Sequence, residues 1–261
     1  MRALCALCPR LAFSNCAEDP LARSTRPGRG ARARPYRIVY EDVHILVVDK
    51  DAGILAVPIA GKQSRNIKEL LDRYLVSQKR DAIPVHRIDR YTSGLLVFAK
   101  NQKSWERMVA QFRARSPERV YLALVRGSVA EEGGTLRHRL ELTTDGFRQR
   151  VVPQGGTEAV THYRVLERFQ GATFLEVRLE TGLKNQIRVQ FRAAGHPLVG
   201  DRHYASAESR EIRLGRQALH AWKLAFIHPA SGKPVRFEAP MAQDMERVLI
   251  RMRGEDHAPR N

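Results

Sequence analysis

The stretch 84-PVHRIDRYTSGLLVFAK-100 decides how the chain is read. From Gly94 to Ala99 it is apolar enough to lie inside a sheet, yet the residues leading into that run are His86, Arg87, Asp89, Arg90, Thr92 and Ser93. A short apolar run bounded by polar turn formers reads as a buried strand. One carboxylate, Asp89, therefore stands between two arginines at the mouth of a core strand.

Outward from that strand, 44-HILVVDK-50 is a second apolar strand, and 53-GILAVP-58 is expected to be a third, stopped by Pro58. In 66-NIKELLDRYLVSQ-78, Ile67, Leu70, Leu71, Tyr74 and Leu75 share one helical face, and Trp105, Met108, Val109 and Phe112 form a similar one. Both faces are expected to be core packing. In 119-RVYLALVRG-127 the pattern alternates, so Tyr121, Ala123 and Val125 point away from Val120, Leu122 and Leu124. Residues 173-TFLEVRLETG-182 form another half-buried strand with Leu175, Val177 and Leu179 on one face. Residues 219–240 read as a hairpin about Ser231 and Gly232, and 242–253 as a closing helix. Strands outnumber helices, so the expected fold is α+β: a mixed, mostly antiparallel sheet with flanking helices.

Charge narrows the partner. The 261 residues carry a formal net charge of +17, and residues 1–35 hold seven Arg, no Lys and two acids, which leaves +12 on the rest of the chain. A field of that sign draws polyanions, and RNA or DNA leads. No apolar run approaches the roughly 20 residues of a membrane span. Residues 1–35 are rich in Arg, Pro and Gly, the composition of a flexible extension, and ordered sequence is expected from Tyr36 to residue 261. Cys5, Cys8 and Cys16 all fall in that extension, without a fourth ligand close by for a zinc site. The expected compartment is the cytoplasm, or the mitochondrion if the extension is a transit peptide.

The stretch 180-ETGLKNQIRVQFRAAGHPLVGDRHY-204 supplies a second cation. Thr181 or Asn185 is expected to cap a helix with Arg188 in its first turn, with Ile187, Phe191 and Ala194 facing inward and Gly195 and Pro197 ending it. In order, HRIDRYTSG, RVYLALVRG, TGLKNQIR with GHPLVGDRHY, and LHAWKLAFIHP with PVRFEAP resemble the RluA-type RNA pseudouridine synthases from about Tyr36 to the C-terminus.

That resemblance implies isomerisation of uridine within an RNA chain, ribosomal RNA first and transfer RNA second, without metal or cofactor. It places the nucleophile at Asp89, its pairing arginine at Arg188, the active-site tyrosine at Tyr121, and an arginine that enters the RNA stack at Arg87. Arg90 flanks the nucleophile and can contact phosphate, while His86 is expected to shape the turn through a hydrogen bond. Where many relatives have T-G-R-T-H-Q-I-R, this chain has Leu183 and Asn185 for the Arg and His. The expectation is that this alters RNA contacts more than chemistry, with Lys184 restoring the positive charge. Many relatives also carry a small ribosomal-protein-like domain ahead of the catalytic one. A start of order near Tyr36 leaves no room for it, and a monomer is expected.

The chemistry of these residue types agrees. Cleaving a base from ribose leaves the sugar electron-deficient, and a carboxylate can stabilise it covalently or electrostatically, or remove a sugar proton. A nearby guanidinium favours the ionised carboxylate. The new carbon bond then requires loss of the uracil C5 hydrogen, for which Tyr121 can act as base or relay while its ring stacks on the uracil. A stacked uridine must first be flipped out. Two other classes stay open: a non-catalytic RNA-binding or ribosome-assembly protein of the same fold, and hydrolytic removal of the base.

Overall fold

The computed structural model describes residues 34–59, 61, 64–146, 148–205 and 212–254. Cys5, Cys8 and Cys16 lie outside the described residues. The strand expected at 94–99 is β4 (Ser93–Ala99), buried along its whole length. It runs antiparallel to β2 (Ile45–Lys50), and on its other side it meets β10 (Leu219–Ile227) in parallel, only at Ser93 opposite His220 and Gly94 opposite Ala221.

Every other pairing between the strands of the described residues is antiparallel. β1 (Tyr36–Glu41) flanks β2; β10 continues into β5 (Glu118–Arg126), β9 (Ala172–Leu179), β8 (Thr157–Phe169), β6 (Gly133–Leu142) and β7 (Gln149–Val152). Two short strands, β3 (Ile83–Pro84) and β11 (Pro234–Glu238), add to β4 and β10. The fold is thus the expected mixed, mostly antiparallel sheet with flanking helices.

The alternation in β5 separates two cores. Tyr121, Ala123 and Val125 join the cluster that holds Ile67, Leu71 and Leu75 of α1 (Ile67–Leu75) and Ile187 and Phe191 of α3 (Gln186–Ala193). Leu122 and Leu124 instead pack with Met245, Val248 and Leu249 of α4 (Gln243–Met252). A third cluster seats Met108 of α2 (Gln102–Arg113) on Ile45, Val47, Leu95 and Val97. The helix starts follow local chemistry: Asn66 Oδ1 accepts from the Glu69 amide at 3.0 Å, and Asn101 Oδ1 from the Ser104 amide at 2.9 Å. Among the described residues no helix is long and apolar enough to cross a membrane.

Three expectations need correction. Residues 53–58 are not a strand; Leu55 makes a single bridge to Asn66, and Gly53 takes a left-handed φ of 94°. The reason is Lys50, whose buried ammonium takes the Ile54 carbonyl that a strand would have spent on a neighbour. Ala194 is exposed, because α3 ends at Ala193 and the chain turns at Gly195, φ 84°. Neither Thr181 nor Asn185 caps α3 with its side chain. Gln186 Oε1 closes that corner by accepting from the Leu183 amide at 3.0 Å and the Thr181 hydroxyl at 2.8 Å.

Gly94 sits at the parallel junction with φ 109°, a conformation that L side chains avoid. A Cβ there would strike the Ala221 backbone, 2.7 Å from its nitrogen and closer to its oxygen. Gly94→Ala is expected to destabilise the protein by about 2 kcal/mol or more, since strain and steric conflict add. Urea unfolding checks this, and an unchanged midpoint would show that β4 and β10 can part without cost.

Candidate active site

The loop carrying Asp89 is held from below by backbone and buried side chains. Ile88 is buried in the main core, and the Thr92 amide donates to the Asp89 carbonyl at 3.1 Å, closing a turn. Lys50 Nζ donates to three carbonyls, Asp51 at 2.8 Å, Ile54 at 2.9 Å and Arg90 at 3.1 Å, which matches the three donors of an ammonium. From the C-terminal side, Arg216 forks onto Asp244 at 2.6 and 2.7 Å and donates to the Tyr91 carbonyl at 3.3 Å and to Ser93 Oγ at 3.2 Å. Thr92 Oγ1 accepts from Gln217, and Ser93 Oγ bonds His220 Nδ1. Both hydroxyls are thus bound to side chains and not to the backbone of the turn, and Thr92 also lines the cavity described below.

Arg188 lies between two carboxylates. Its Nε and Nη2 donate to the two oxygens of Asp201 at 2.6 and 2.8 Å, and its Nη1 donates to Asp89 Oδ2 at 3.0 Å. The Asp201 side chain is fully buried. Burial alone would raise its pKa, but Arg188 and the amides of His203 and Tyr204 outweigh that and hold it below the usual carboxylate range. The Tyr204 ring covers the guanidinium, 4.9 Å from its centroid to the carbon. Asn185, in a left-handed conformation at φ 53°, donates Nδ2 to the same Asp89 oxygen at 2.7 Å. Asp89 Oδ1 accepts no hydrogen bond from any described residue.

Asp89, Arg188 and Tyr121 line one open cavity of about 420 Å³, a size suited to a small ligand. Tyr121 is buried, and burial above all raises its pKa, against the pull of the nearby Arg119 and with a further push from Asp89. Its hydroxyl therefore stays a neutral phenol. His86 stacks on Phe112 at 4.7 Å and accepts the Val97 amide on Nε2 at 3.2 Å; burial, with Arg119 nearby, pushes its pKa down to about 3. The hydrogen-bonded histidine that was expected is there, but its bond anchors the loop to the middle of β4 and not to the turn, and its ring also lines the cavity.

Residues 44–193 match the RNA pseudouridylate synthase family. The ribosomal large subunit pseudouridine synthase D of Nitrosomonas europaea is 38% identical over 240 residues, covering 87% of this chain and 68% of that protein. Its namesake in Pseudomonas aeruginosa is 40% identical over 240 residues, covering 85% and 73%. The chain belongs to the RNA pseudouridylate synthase family. Human RNA pseudouridylate synthase domain containing 1 superposes with a TM-score of 0.65 at 25% identity, over 90% of this chain and 99% of that one. The human domain containing 4 protein shares the fold, with a TM-score of 0.69 at 21% identity over 83% and 92%. The activity is that of an RNA-modifying isomerase, so turnover and not mere RNA binding is the function of the fold here.

Within this pseudouridylate synthase the predicted residues separate into two groups. Asp89, Tyr121, Arg188 and Arg87 line the cavity together. Arg90 does not; its Nε donates to the Gly53 carbonyl at 2.8 Å and its guanidinium lies over the Tyr91 ring. Lys184 is exposed beside the β6–β7 turn, where Nζ donates to the Gly146 carbonyl at 2.9 Å. The departure at Asn185 touches the carboxylate itself, so the expectation that it bears mainly on RNA contacts is corrected. Val109 and Phe112, expected only as core, also form cavity wall. Asp201, Lys50 and Arg216 escaped the sequence reading. Asp201 was in plain view within the GHPLVGDRHY stretch, but nothing in a lone sequence pairs it with Arg188.

Lys50 supplies a pH test of the loop support. Burial first, then the neighbouring Arg216, push its pKa from 10.5 down to about 7. Between those values the unfolded chain binds the extra proton, so this group makes stability rise with pH from about 7 toward 10.5. Urea unfolding at pH 7 and pH 9 is expected to show that rise, and Lys50→Met to show less of it. An identical pH dependence in the two proteins would refute the assignment.

Proposed function

We propose that this enzyme converts uridine to pseudouridine in large-subunit ribosomal RNA, with residues 36–261 as the catalytic domain and Asp89 as the nucleophile. The observation that carries the assignment is the asymmetry of the Asp89 carboxylate: Oδ2 is held by Arg188 and Asn185, while Oδ1 has no partner among the described residues. The bound oxygen fixes the group, and the other is available for the sugar. The names of the curated relatives support ribosomal RNA as the substrate. The enzyme then works as a monomer where ribosomes are assembled, the cytoplasm in a bacterial cell.

In this reading the uridine is flipped into the cavity and the N1–C1′ bond breaks, with the electron pair leaving on uracil. Asp89 stabilises the electron-deficient sugar. The base turns and a C5–C1′ bond forms; C5 then loses its proton and N1 takes one up, so atoms and charge balance. Tyr121 stacks on the uracil and, as a neutral phenol, relays the C5 proton instead of acting as a free phenolate. Arg87 enters the gap left in the RNA stack, Arg90 meets the strand beside the loop, and Lys184 meets it at the cavity rim. Arg188 orients Asp89 and is in turn oriented by Asp201.

Asp89→Asn keeps shape but removes the charge and the nucleophile. It is expected to bind ribosomal RNA at least as tightly as wild type while releasing no tritium from RNA labelled at uridine C5. Undiminished release would overturn the assignment. Tyr121→Phe loses only a hydroxyl, and C5-proton release is expected to slow by about 10²–10⁴-fold with RNA affinity retained. A wild-type rate in single-turnover assays would restrict Tyr121 to stacking.

A further inference from the structure

The cavity has a cationic wall that the isomerisation chemistry leaves unused. Arg119 and Tyr121 are two residues apart on β5, so both side chains point to the same face, and both line the cavity. The Arg119 guanidinium lies over the Phe112 ring, 5.9 Å from its centroid, and Nη2 donates to the Glu180 carbonyl at 3.3 Å. Its Nε is buried with no hydrogen-bond partner. A buried donor without a partner is uncommon, and it leaves this guanidinium only partly satisfied by the protein. Gly182 lies directly against the Arg119 guanidinium, and both line the cavity.

Two more arginines join it where α2 ends. Arg113 is the last helical residue, and Arg115 holds a left-handed φ of 57° without being glycine. That conformation ends α2: the Arg115 amide donates to the Phe112 carbonyl at 3.2 Å and the Ser116 amide to the Gln111 carbonyl at 3.1 Å. Both arginines are exposed and line the cavity, and neither makes an ion pair with a described residue. The carboxylates in the same lining are already engaged: Asp89 with Arg188, and Glu158 with Arg137 at 2.7 Å.

We propose that Arg113, Arg115 and Arg119 form a phosphate subsite that grips the RNA backbone next to the flipped uridine. The inference rests on the RNA-isomerase reading above and adds where the strand runs: along the α2–β5 side of the cavity. A flipped nucleotide brings its flanking phosphates to the mouth of the pocket that takes its base. A guanidinium fork matches phosphate oxygens, and this wall of the cavity offers three of them. A uracil carbonyl is a poorer occupant, since one neutral acceptor does not call for three cations.

The test measures binding of full-length enzyme to deproteinised ribosomal RNA across salt concentrations, with steady-state tritium release alongside. Each lost phosphate contact lowers the slope of log K against log salt by about 0.7–0.9, so Arg113→Gln/Arg115→Gln/Arg119→Gln is expected to lose about 2. KM is expected to rise about tenfold or more while kcat stays within about threefold. The exposed pair Arg113→Gln/Arg115→Gln, which leaves the packed Arg119 in place, is expected to lose about 1.4 of slope and covers the case of a misfolded triple variant. Arg247→Gln/Arg251→Gln on α4, packed against the opposite face of β5, serves as the control and is expected to keep the wild-type slope. An unchanged slope in the pair, or an equal loss in the α4 control, would overturn the subsite. Wild-type pseudouridine formation, scored in the same reactions, separates the two readings: its absence sinks the reaction, whereas an unchanged slope sinks only the subsite.

Discussion

The site depends on one buried cation. Arg188 is 6% exposed, and removing a guanidinium from water costs several kcal/mol unless its donors are matched. Asp201 matches two of them from a fully buried side chain, and Asp89 matches a third from the cavity. Two carboxylates around one guanidinium leave the group with one net negative charge. Of the two carboxylates, Asp89 is the one that reaches the cavity. The packing around this triad follows from the same need. Tyr204 covers the guanidinium, and its hydroxyl is fixed by the Gln149 backbone. Gln186 and Gln190, one turn apart on α3, bond the backbone of β8 at Val160 and Ala159, so the helix that carries Arg188 cannot rotate without breaking buried hydrogen bonds.

The second constraint is the parallel contact at Gly94 and Ala221. In a sheet that is otherwise antiparallel, this contact brings the start of β4 against the start of β10, and the loop with Asp89 emerges there. Lys50 holds the loop's carbonyls from one side and Arg216 from the other. Lys50 bonds backbone carbonyls alone, whereas Arg216 divides its donors between Asp244, Ser93 Oγ and backbone carbonyls. Each fixes chain path without placing a second acid near Asp89, except for Asp244, which Arg216 neutralises directly. Rigidity at Asp89 is thus supplied from beneath, and the face toward the cavity stays open.

Much of this was legible in the sequence, and what escaped shares a cause. Strands buried on both faces, β2, β4 and β5, announce themselves through apolar density or alternation. β6 and β8 carry arginines, glutamates and histidines on exposed positions and were passed over, because a half-solvated strand beyond the core shows little hydrophobic contrast. Residues 53–58 read as strand for the opposite reason: apolar side chains were present, but the carbonyl that would have paired was taken by Lys50. Asp89, Tyr121, Arg188 and Arg87 could be read because the resemblance assigns them places in quoted motifs. Asp201 and Asn185 could not, since their roles consist in contacts across 13 and 96 positions of chain.

The charge of the chain raises a last question, because a net excess of cations does not say where RNA sits. Many arginines outside the site are spent internally: Arg137 on Glu158, Arg150 on Glu141, Arg164 on Glu176, Arg236 on Glu118 and Arg253 on Glu167. Exposed pairs of this kind contribute little stability, about 0–1 kcal/mol each, but they cancel the local field. Positive field stays uncancelled where arginines lack acid partners, and among the described residues that line the cavity those are Arg87, Arg113, Arg115 and Arg119. Asp89 stands among them and would repel a phosphate brought directly onto it. The pairing of Asp89 with Arg188 reduces that repulsion, so one cavity can combine a carboxylate with a wall that attracts a polyanion.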